Sequence, residues 1–344
     1  MSVLTRVVRG AGCGVHGAAC RVQGAVHGAW CLVQCAVVAL LLIAGCSSVE
    51  TTTPAARRTP VVEELRPAPG ALALPVKDGS VRFAVIGDAG RGDKNQYDTA
   101  QQLAAWRARY PFDFILMLGD NIYIYDKQTP QDYPDKFEKP YAPLLEAGVK
   151  FYAAIGNHDD PTQIYYAPFN MDGKRYYTFR KGQGPLGAVA GGGVRFFVLD
   201  SRSFDPDQLA WLKQELADSG SPWKIAYFHH PLYTSGRYQW GARALRREVE
   251  PLLIAGDVDV VLSGHEHFYE RLQPQNGIIY FVSGAGGALR RNDIRASPAT
   301  AKGFDDDCHF MLMEISGDKL YFQAISRTGE TVDAGVITRS DRSD

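Results

Sequence analysis

The chain has 344 residues, with 37 Lys and Arg against 38 Asp and Glu, 45% hydrophobic residues and 22% charged ones. This balance excludes wholesale disorder, a collagen-like repeat and a polytopic membrane protein. A formal net charge of −1 provides no basic field for sequence-independent nucleic-acid binding, so no nucleic-acid partner is expected.

The first predicted element is a leader. From Cys31 to Gly45 the chain is apolar apart from Gln34, and it runs on as Leu42-Ile43-Ala44-Gly45-Cys46. A bilayer-spanning helix needs about 20 apolar residues, and this run is shorter. It suits the apolar region of a signal peptide with a small-residue cleavage site. The Ile-Ala-Gly-Cys ending resembles the bacterial lipoprotein box. That resemblance implies a signal peptide over residues 1–45, long enough to include an upstream extension, and a lipidated Cys46 that anchors the exported chain to a membrane. Ser47 then resembles the sorting preference for the outer membrane, facing the periplasm, in a Gram-negative host. A plain secretory signal or an uncleaved anchor is the alternative.

Removal of the leader takes three Arg and four of the six Cys, leaving a net charge of −4 with Cys46 and Cys308. Cys308 follows the acidic run Asp305 to Asp307, and negative neighbours disfavour a thiolate. It reads as a buried small apolar side chain.

Residues 46–78 are rich in Pro, Thr and Ala and are predicted as a tether, with the folded domain over 79–340. The strands predicted next are Arg82–Ile86, Phe114–Leu118, Phe151–Ile155, Tyr176–Phe179, Val194–Leu199, Trp223–Phe228, Val258–Leu262 and Ile278–Val282. Phe310–Ile315, Lys319–Ile325 and Val332–Ile337 follow without intervening helices, which predicts an antiparallel close to a mixed sheet system. Helices are expected over Tyr97–Arg109, Phe137–Ala147, Pro206–Ala217 and Ala242–Ile254. Alternation of this kind defines an α/β protein.

Two short signatures carry no function. Gly182-Gln-Gly184-Pro-Leu-Gly187 has dinucleotide-type spacing but no following helix, and reads as a hairpin loop. Arg91-Gly92-Asp93 reads as a polar turn.

Five apolar runs end in polar residues of the same chemical kinds. RFAVIG ends in Asp88, and FDFILMLG ends in Asp120 and Asn121 with Tyr123 beyond. FYAAIG ends in Asn157, His158 and Asp159, and KIAYF in His229 and His230. VDVVLSG ends in His265 and His267, around Glu266. Groups at the carboxyl ends of strands in open α/β sheets share one crevice. Of the six His after the leader, only His309 lies elsewhere. Imidazole and carboxylate together suit transition metals such as Fe, Zn or Mn.

In order and spacing, Gly87-Asp88-Ala89-Gly90, Gly119-Asp120-Asn121-Ile122-Tyr123, Gly156-Asn157-His158-Asp159, His229-His230-Pro231 and Gly264-His265-Glu266-His267 resemble the signature of calcineurin-like metallophosphoesterases. Gly90 stands where most of that superfamily has a His, and Tyr123 supplies another donor. Both features are similar to the small purple acid phosphatases. The resemblance implies a four-layer α/β/β/α sandwich and a dinuclear centre. One metal would take Asp88, Asp120, Tyr123 and His267, and the other Asp120, Asn157, His229 and His265. The anionic first site favours Fe(III), and the second a divalent Fe, Zn or Mn. Two cations about 3.5–4 Å apart can activate a water for in-line attack on phosphorus. His158 resembles the outer histidine that protonates the leaving group or holds the phosphate. Asp159 either orients His158 or caps a helix, and His230 either supports the site or packs.

The expected activity is hydrolysis of a small phosphorylated substrate as a phosphomonoester. A phosphodiesterase or nucleotide hydrolase could use the same core, and a non-catalytic surface binding protein could use the same fold. The loop Leu232–Trp240 lacks the His that purple acid phosphatases often carry there. Residues 182–193 and 289–307 are expected near the site mouth.

Overall fold

The computed structural model describes residues 59–182 and 193–339. The predicted leader and lipidation site at Cys46 lie outside the described residues. Among the described residues, no helix is long and apolar enough to cross a membrane.

In chain order the elements are β1 (Val61–Glu64), β2 (Val81–Ile86), α1 (Lys94–Arg107), β3 (Phe114–Met117), α2 (Ala142–Glu146) and β4 (Lys150–Ala153). β5 (Tyr177–Lys181), β6 (Val194–Val198), α3 (Pro206–Ala217), β7 (Trp223–Tyr227), α4 (Gln239–Ala255) and β8 (Val260–Ser263) follow. The chain closes with β9 (Tyr269–Leu272), β10 (Ile279–Ser283), β11 (Thr300–Phe304), β12 (His309–Ser316), β13 (Lys319–Ser326) and β14 (Thr331–Thr338).

Two seven-stranded sheets result, ordered β1-β14-β13-β12-β2-β3-β4 and β11-β9-β10-β8-β7-β6-β5. β2, β3 and β4 run parallel, as do β6, β7, β8 and β10, and the remaining pairs are antiparallel. The sheets face each other across one apolar core. Phe196 of β6 meets Phe83 and Phe114 of the opposite sheet at 5.4 and 5.6 Å between ring centroids. Phe281 of β10 meets Phe322 of β13 at 5.0 Å.

Near-continuous apolar runs such as FILM in β3 and VRFFV in β6, the latter broken only by Arg195, fit strands buried on both faces. Phe196 and Val198 point into the inter-sheet core, while Phe197 and Leu199 join Leu212 and Leu216 of α3 and Val249 and Leu253 of α4. On the outer side of the first sheet, α1 buries Ala100, Leu103 and Trp106. The architecture is the expected α/β/β/α sandwich with two mixed sheets.

The cap of α3 is the expected one: Asp205 accepts from Gln208 N, and Pro206 occupies the first turn. Arg91-Gly92-Asp93 is a turn that ends in the cap of α1, where Asp93 accepts from Gln96 N.

Two expectations need correction. The helix predicted over Phe137–Ala147 is a π turn, Pro134–Glu138, followed by the separate α2. Pro140 and Pro143 lack the N–H groups that a continuous helix would use. The tether predicted over 46–78 is already structured at β1, which pairs with β14. Downstream of it, Ala73 N donates to Gln323 Oε1, and Val76 N and Lys77 N donate to the Glu314 carboxylate. β5 and β6 pair antiparallel, with Lys181 opposite Val194. Residues 183–192 of the segment expected near the site mouth lie outside the described residues.

Candidate metal centre

The carboxyl ends of β2, β3, β4, β7 and β8 converge across the two sheets. Asp88, Asp120 and His265 adopt left-handed backbone at φ 54°, 52° and 69°, a region uncommon for residues other than glycine, although Asp and His enter it more readily than most. Strain of this sort persists where the surroundings over-determine it. Here those surroundings are main-chain bonds: Asp88 N donates to Gly119 O and Gly90 N to Asp120 O. His265 N donates to Asp88 Oδ2 at 2.8 Å, and His158 N to Asp120 Oδ1 at 2.9 Å.

Two groups of donors form. Ligand atoms of Asp88, Asp120 and His267 lie within 4.8 Å of one another, as do those of His229, His230 and His265. Tyr123 Oη joins the first group, 3.3 Å from Asp88 Oδ1 and 3.0 Å from His267 Nε2. Asn157 Oδ1 joins the second, 2.9 Å from His229 Nε2. Asp120 Oδ1 stands 3.4 Å from His229 Nε2 and so touches both. All seven predicted ligand positions are therefore brought together.

The chemistry of this donor set fits cations. His229 Nδ1 faces the Leu118 carbonyl at 3.0 Å, which places its proton there. Its Nε2 is left as a lone pair, yet it faces Asn157 Oδ1, Asp120 Oδ1 and, at 3.2 Å, His265 Nδ1. Acceptors crowded together in this way call for a positive centre. Burial, then the charge of Asp120, pushes the Asp88 carboxyl well above the usual range, and burial raises Asp120 as well. Burial drives His229 and His265 far below the ordinary imidazole range and His267 down to about 3, with Arg290 adding to the last. Neutral imidazoles are ready to ligate a metal, and two buried carboxyls this close need a nearby cation to stay ionised.

Gly90 explains how Tyr123 enters. A Cβ at this position would stand 1.9 Å from Asn121 O and 2.6 Å from Ile122 Cα. The chain carrying Tyr123 occupies the space above Gly90, and Tyr123 N donates to Gly90 O at 2.8 Å. Gly156 makes a similar close approach, since a Cβ there would meet Asp120 Oδ1 at 2.2 Å.

The remaining predicted residues separate. The His158 ring rests 4.7 Å from the Tyr123 ring, half-buried beside the donors. Asp159 does not orient it. The Asp159 carboxylate accepts from Ile122 N, Gly156 N and Asn121 Nδ2 and so staples the Asp120 loop to the Asn157 loop. Burial and then Asp120 push Asp159 up to about 7, against those donors. The expected capping falls to Asp160, which accepts from Thr162 N at the next turn. His230 Nδ1 meets Ser201 Oγ at 2.9 Å, and the same oxygen accepts from His230 N. Cys308 is buried and free, with burial and then Asp307 raising its thiol to about 12.

Several site residues escaped the sequence reading. Ser201 follows Asp200 at the end of VRFFVL, a sixth apolar run with a polar end. Glu266, fully buried, accepts from Tyr238 N and so holds the 232–240 loop. Tyr238 lies 4.3 Å from the His265 ring. As expected, the 289–307 segment borders the site: Arg290 N donates to His267 O, and Arg237 forks onto Asp293.

Parallel strands from two facing sheets end in adjoining carboxylate and imidazole clusters that could hold metal ions, the arrangement expected of a metal-dependent phosphoesterase. The family model described as calcineurin-like phosphoesterase matches residues 81–269. The chain belongs to that family and is a metal-dependent phosphoester hydrolase. It is 28% identical over 272 residues to purple acid phosphatase 17 of Arabidopsis thaliana, covering 68% of this chain and 77% of the relative. It is 29% identical over 259 residues to human tartrate-resistant acid phosphatase type 5, covering 64% and 78%.

Among solved structures, the fold is similar to the purple acid phosphatase PPD1 of yellow lupin, with a TM-score of 0.59 and 19% identity over 80% of this chain and 55% of that one. It is also similar to GAP50, described as the anchor in the inner membrane complex of Plasmodium, with a TM-score of 0.66 and 19% identity over 76% and 90%.

Proposed function

We propose that the chain is a phosphomonoesterase of the purple acid phosphatase type, working with Fe(III) and a divalent Fe, Zn or Mn. The observation that carries this reading is the bridging position of Asp120 between two donor groups, one with a phenol and two carboxylates, the other with imidazoles and a neutral amide. In this assignment Asp88, Asp120, Tyr123 and His267 hold the trivalent ion. Asp120, Asn157, His229 and His265 hold the divalent one. When bound, the pair polarises a phosphoryl oxygen and lowers the pKa of water.

The chain's own residues do the rest. The backbone bond to Asp120 fixes His158 beside the donors, where a ring N–H can pass a proton to the leaving oxygen. His230, held at Nδ1 and at its backbone N by Ser201, fills the flank beside His229 and His265. Asp159 keeps the two ligand loops in register. The 232–240 loop brings Tyr238, rather than a His, against His265.

Chelation followed by readdition of single metals tests the metal requirement. Rates on an aryl phosphate and a bis-aryl phosphate then separate mono- from diesterase. A protein that prefers the diester overturns the monoesterase assignment. One that stays inactive with every metal favours the binding-protein reading. We further propose export and lipid attachment at Cys46, on the strength of the Ile-Ala-Gly-Cys run. Loss of fatty-acid labelling in Cys46→Ala checks it.

A further inference from the structure

Tyr125 is 70% exposed, yet its ring is held in place. Its hydroxyl accepts from Arg91 Nη1 at 3.1 Å, and Arg91 is fixed in turn by Nε on Asp93 at 2.9 Å. The ring lies 6.1 Å from that of Tyr123 at 26° and 6.2 Å from that of His158. One residue earlier, Ile124 N donates to His158 O at 3.1 Å, which ties this stretch to the loop that carries His158. Tyr123, His158 and Tyr125 therefore form a triangle of rings, and Tyr125 is its outward corner. Leaving a large aromatic face in water beside a polar cluster forgoes burial that such a ring normally gains. Trp240 is more exposed still, with the Arg243 guanidinium 5.1 Å from its ring.

We propose that Tyr125 is a specificity-determining platform on which a flat aromatic group of the substrate's alcohol stacks. The substrate class is phosphomonoesters such as nucleoside 5′-monophosphates. The inference rests on the phosphomonoesterase reading, in which the leaving oxygen departs beside His158. A group attached to that oxygen passes the Tyr125 ring on its way to solvent. Arg91 holds the hydroxyl edge, so the ring is pre-ordered and loses little freedom on binding.

Adenosine 5′-monophosphate and ribose 5-phosphate carry the same primary ester and differ in the base. Their kcat/KM ratio in the metal-loaded protein therefore reads stacking apart from chemistry. Stacking on an aromatic side chain predicts a ratio of roughly tenfold in favour of the nucleotide. Tyr125→Ala should abolish that preference, and Tyr125→Phe, which keeps the ring, should retain most of it. An unchanged ratio in Tyr125→Ala, or equal loss in both variants, overturns the proposal. If neither compound is hydrolysed, the phosphomonoesterase reading falls instead. The Kd ratio of the same two compounds, wild type against Tyr125→Ala, then decides the stacking: a preference that vanishes in the variant upholds it, and none overturns it.

Discussion

His229 Nε2 and Asn157 Oδ1 stand 2.9 Å apart with no proton to share, because the His229 proton is committed to Leu118 O. A cation held by His229 and Asn157 would relieve this contact. Metal should therefore raise the unfolding free energy, by about 2.7 kcal/mol when free metal is a hundred times its Kd. Thermal melts with and without chelator check this. A melt unmoved by chelator or by any of Fe, Zn and Mn would count against the site.

Asp120 reaches both donor groups, whereas His158 lies beside them, its backbone N on Asp120 and its ring against Tyr123, and is assigned to neither metal. Asp120→Ala should lose both metals and all activity. His158→Ala should keep its metal content and lose roughly 100- to 10,000-fold in turnover, the usual range for a general acid. Elemental analysis of the two purified variants separates these outcomes.

Tyr123 and Gly90 are predicted to act as a pair. Burial and Asp88 raise the Tyr123 phenol, so it ionises only against a strong cation. Iron-loaded protein should show a visible charge-transfer band, which Tyr123→Phe abolishes. Gly90→Ala retains the phenol but drives a methyl group into the Asn121 carbonyl. It should weaken the band and destabilise the fold by about 1–3 kcal/mol, as overpacking does. Absorption spectra and melts of both variants test this.

Asp159→Asn should act on stability. The amide replaces one accepting oxygen with a donor that faces N–H groups, at a cost of about 1–3 kcal/mol. Turnover should fall through displacement of the loops, with an unaltered shape of the pH–rate profile. A changed profile would return Asp159 to a role beside His158.

His309 provides a pH test away from the metals. Burial lowers it to about 3, and its Nε2 contacts Ser283 Oγ at 3.0 Å. The unfolded chain takes up this proton near pH 6.5 and the fold does not. The stabilising contribution is thus complete above pH 6.5 and is lost as pH falls towards 3, at about 1.4 kcal/mol per pH unit. The stability gap between wild type and His309→Gln, measured by urea unfolding in chelator, should shrink or invert between pH 6.5 and 4.

Among the described residues, each apolar run predicted as a strand became one, because a β-branched or aromatic stretch has few other ways to be buried. β1, β9 and β11 escaped notice for the opposite reason. The β9 segment Tyr269–Leu272 contains Glu270 and Arg271, both buried, whose partners Ser235, Thr300 and Asp333 lie 35, 30 and 62 residues away. VVEE and TAKGF show no clear alternation, and their pairing with β14 and β9 is a property of the assembled sheets.

At the site the division is similar. The seven donor positions were legible because each ends an apolar run within a short motif, and strand ends in open sheets meet. What Asp159 does was not legible, since a carboxylate beside a histidine looks the same whether it orients the ring or accepts three N–H groups. Nor could sequence explain why Gly90 and Tyr123 go together. That required the packing of one loop on another at less than a side chain's width. Local pattern determined the strands, the motifs and the kinds of atom at their ends. Tertiary structure alone decided which atoms face each other, because hydrogen-bond partners and excluded volume depend on positions that the chain brings together only once it has folded.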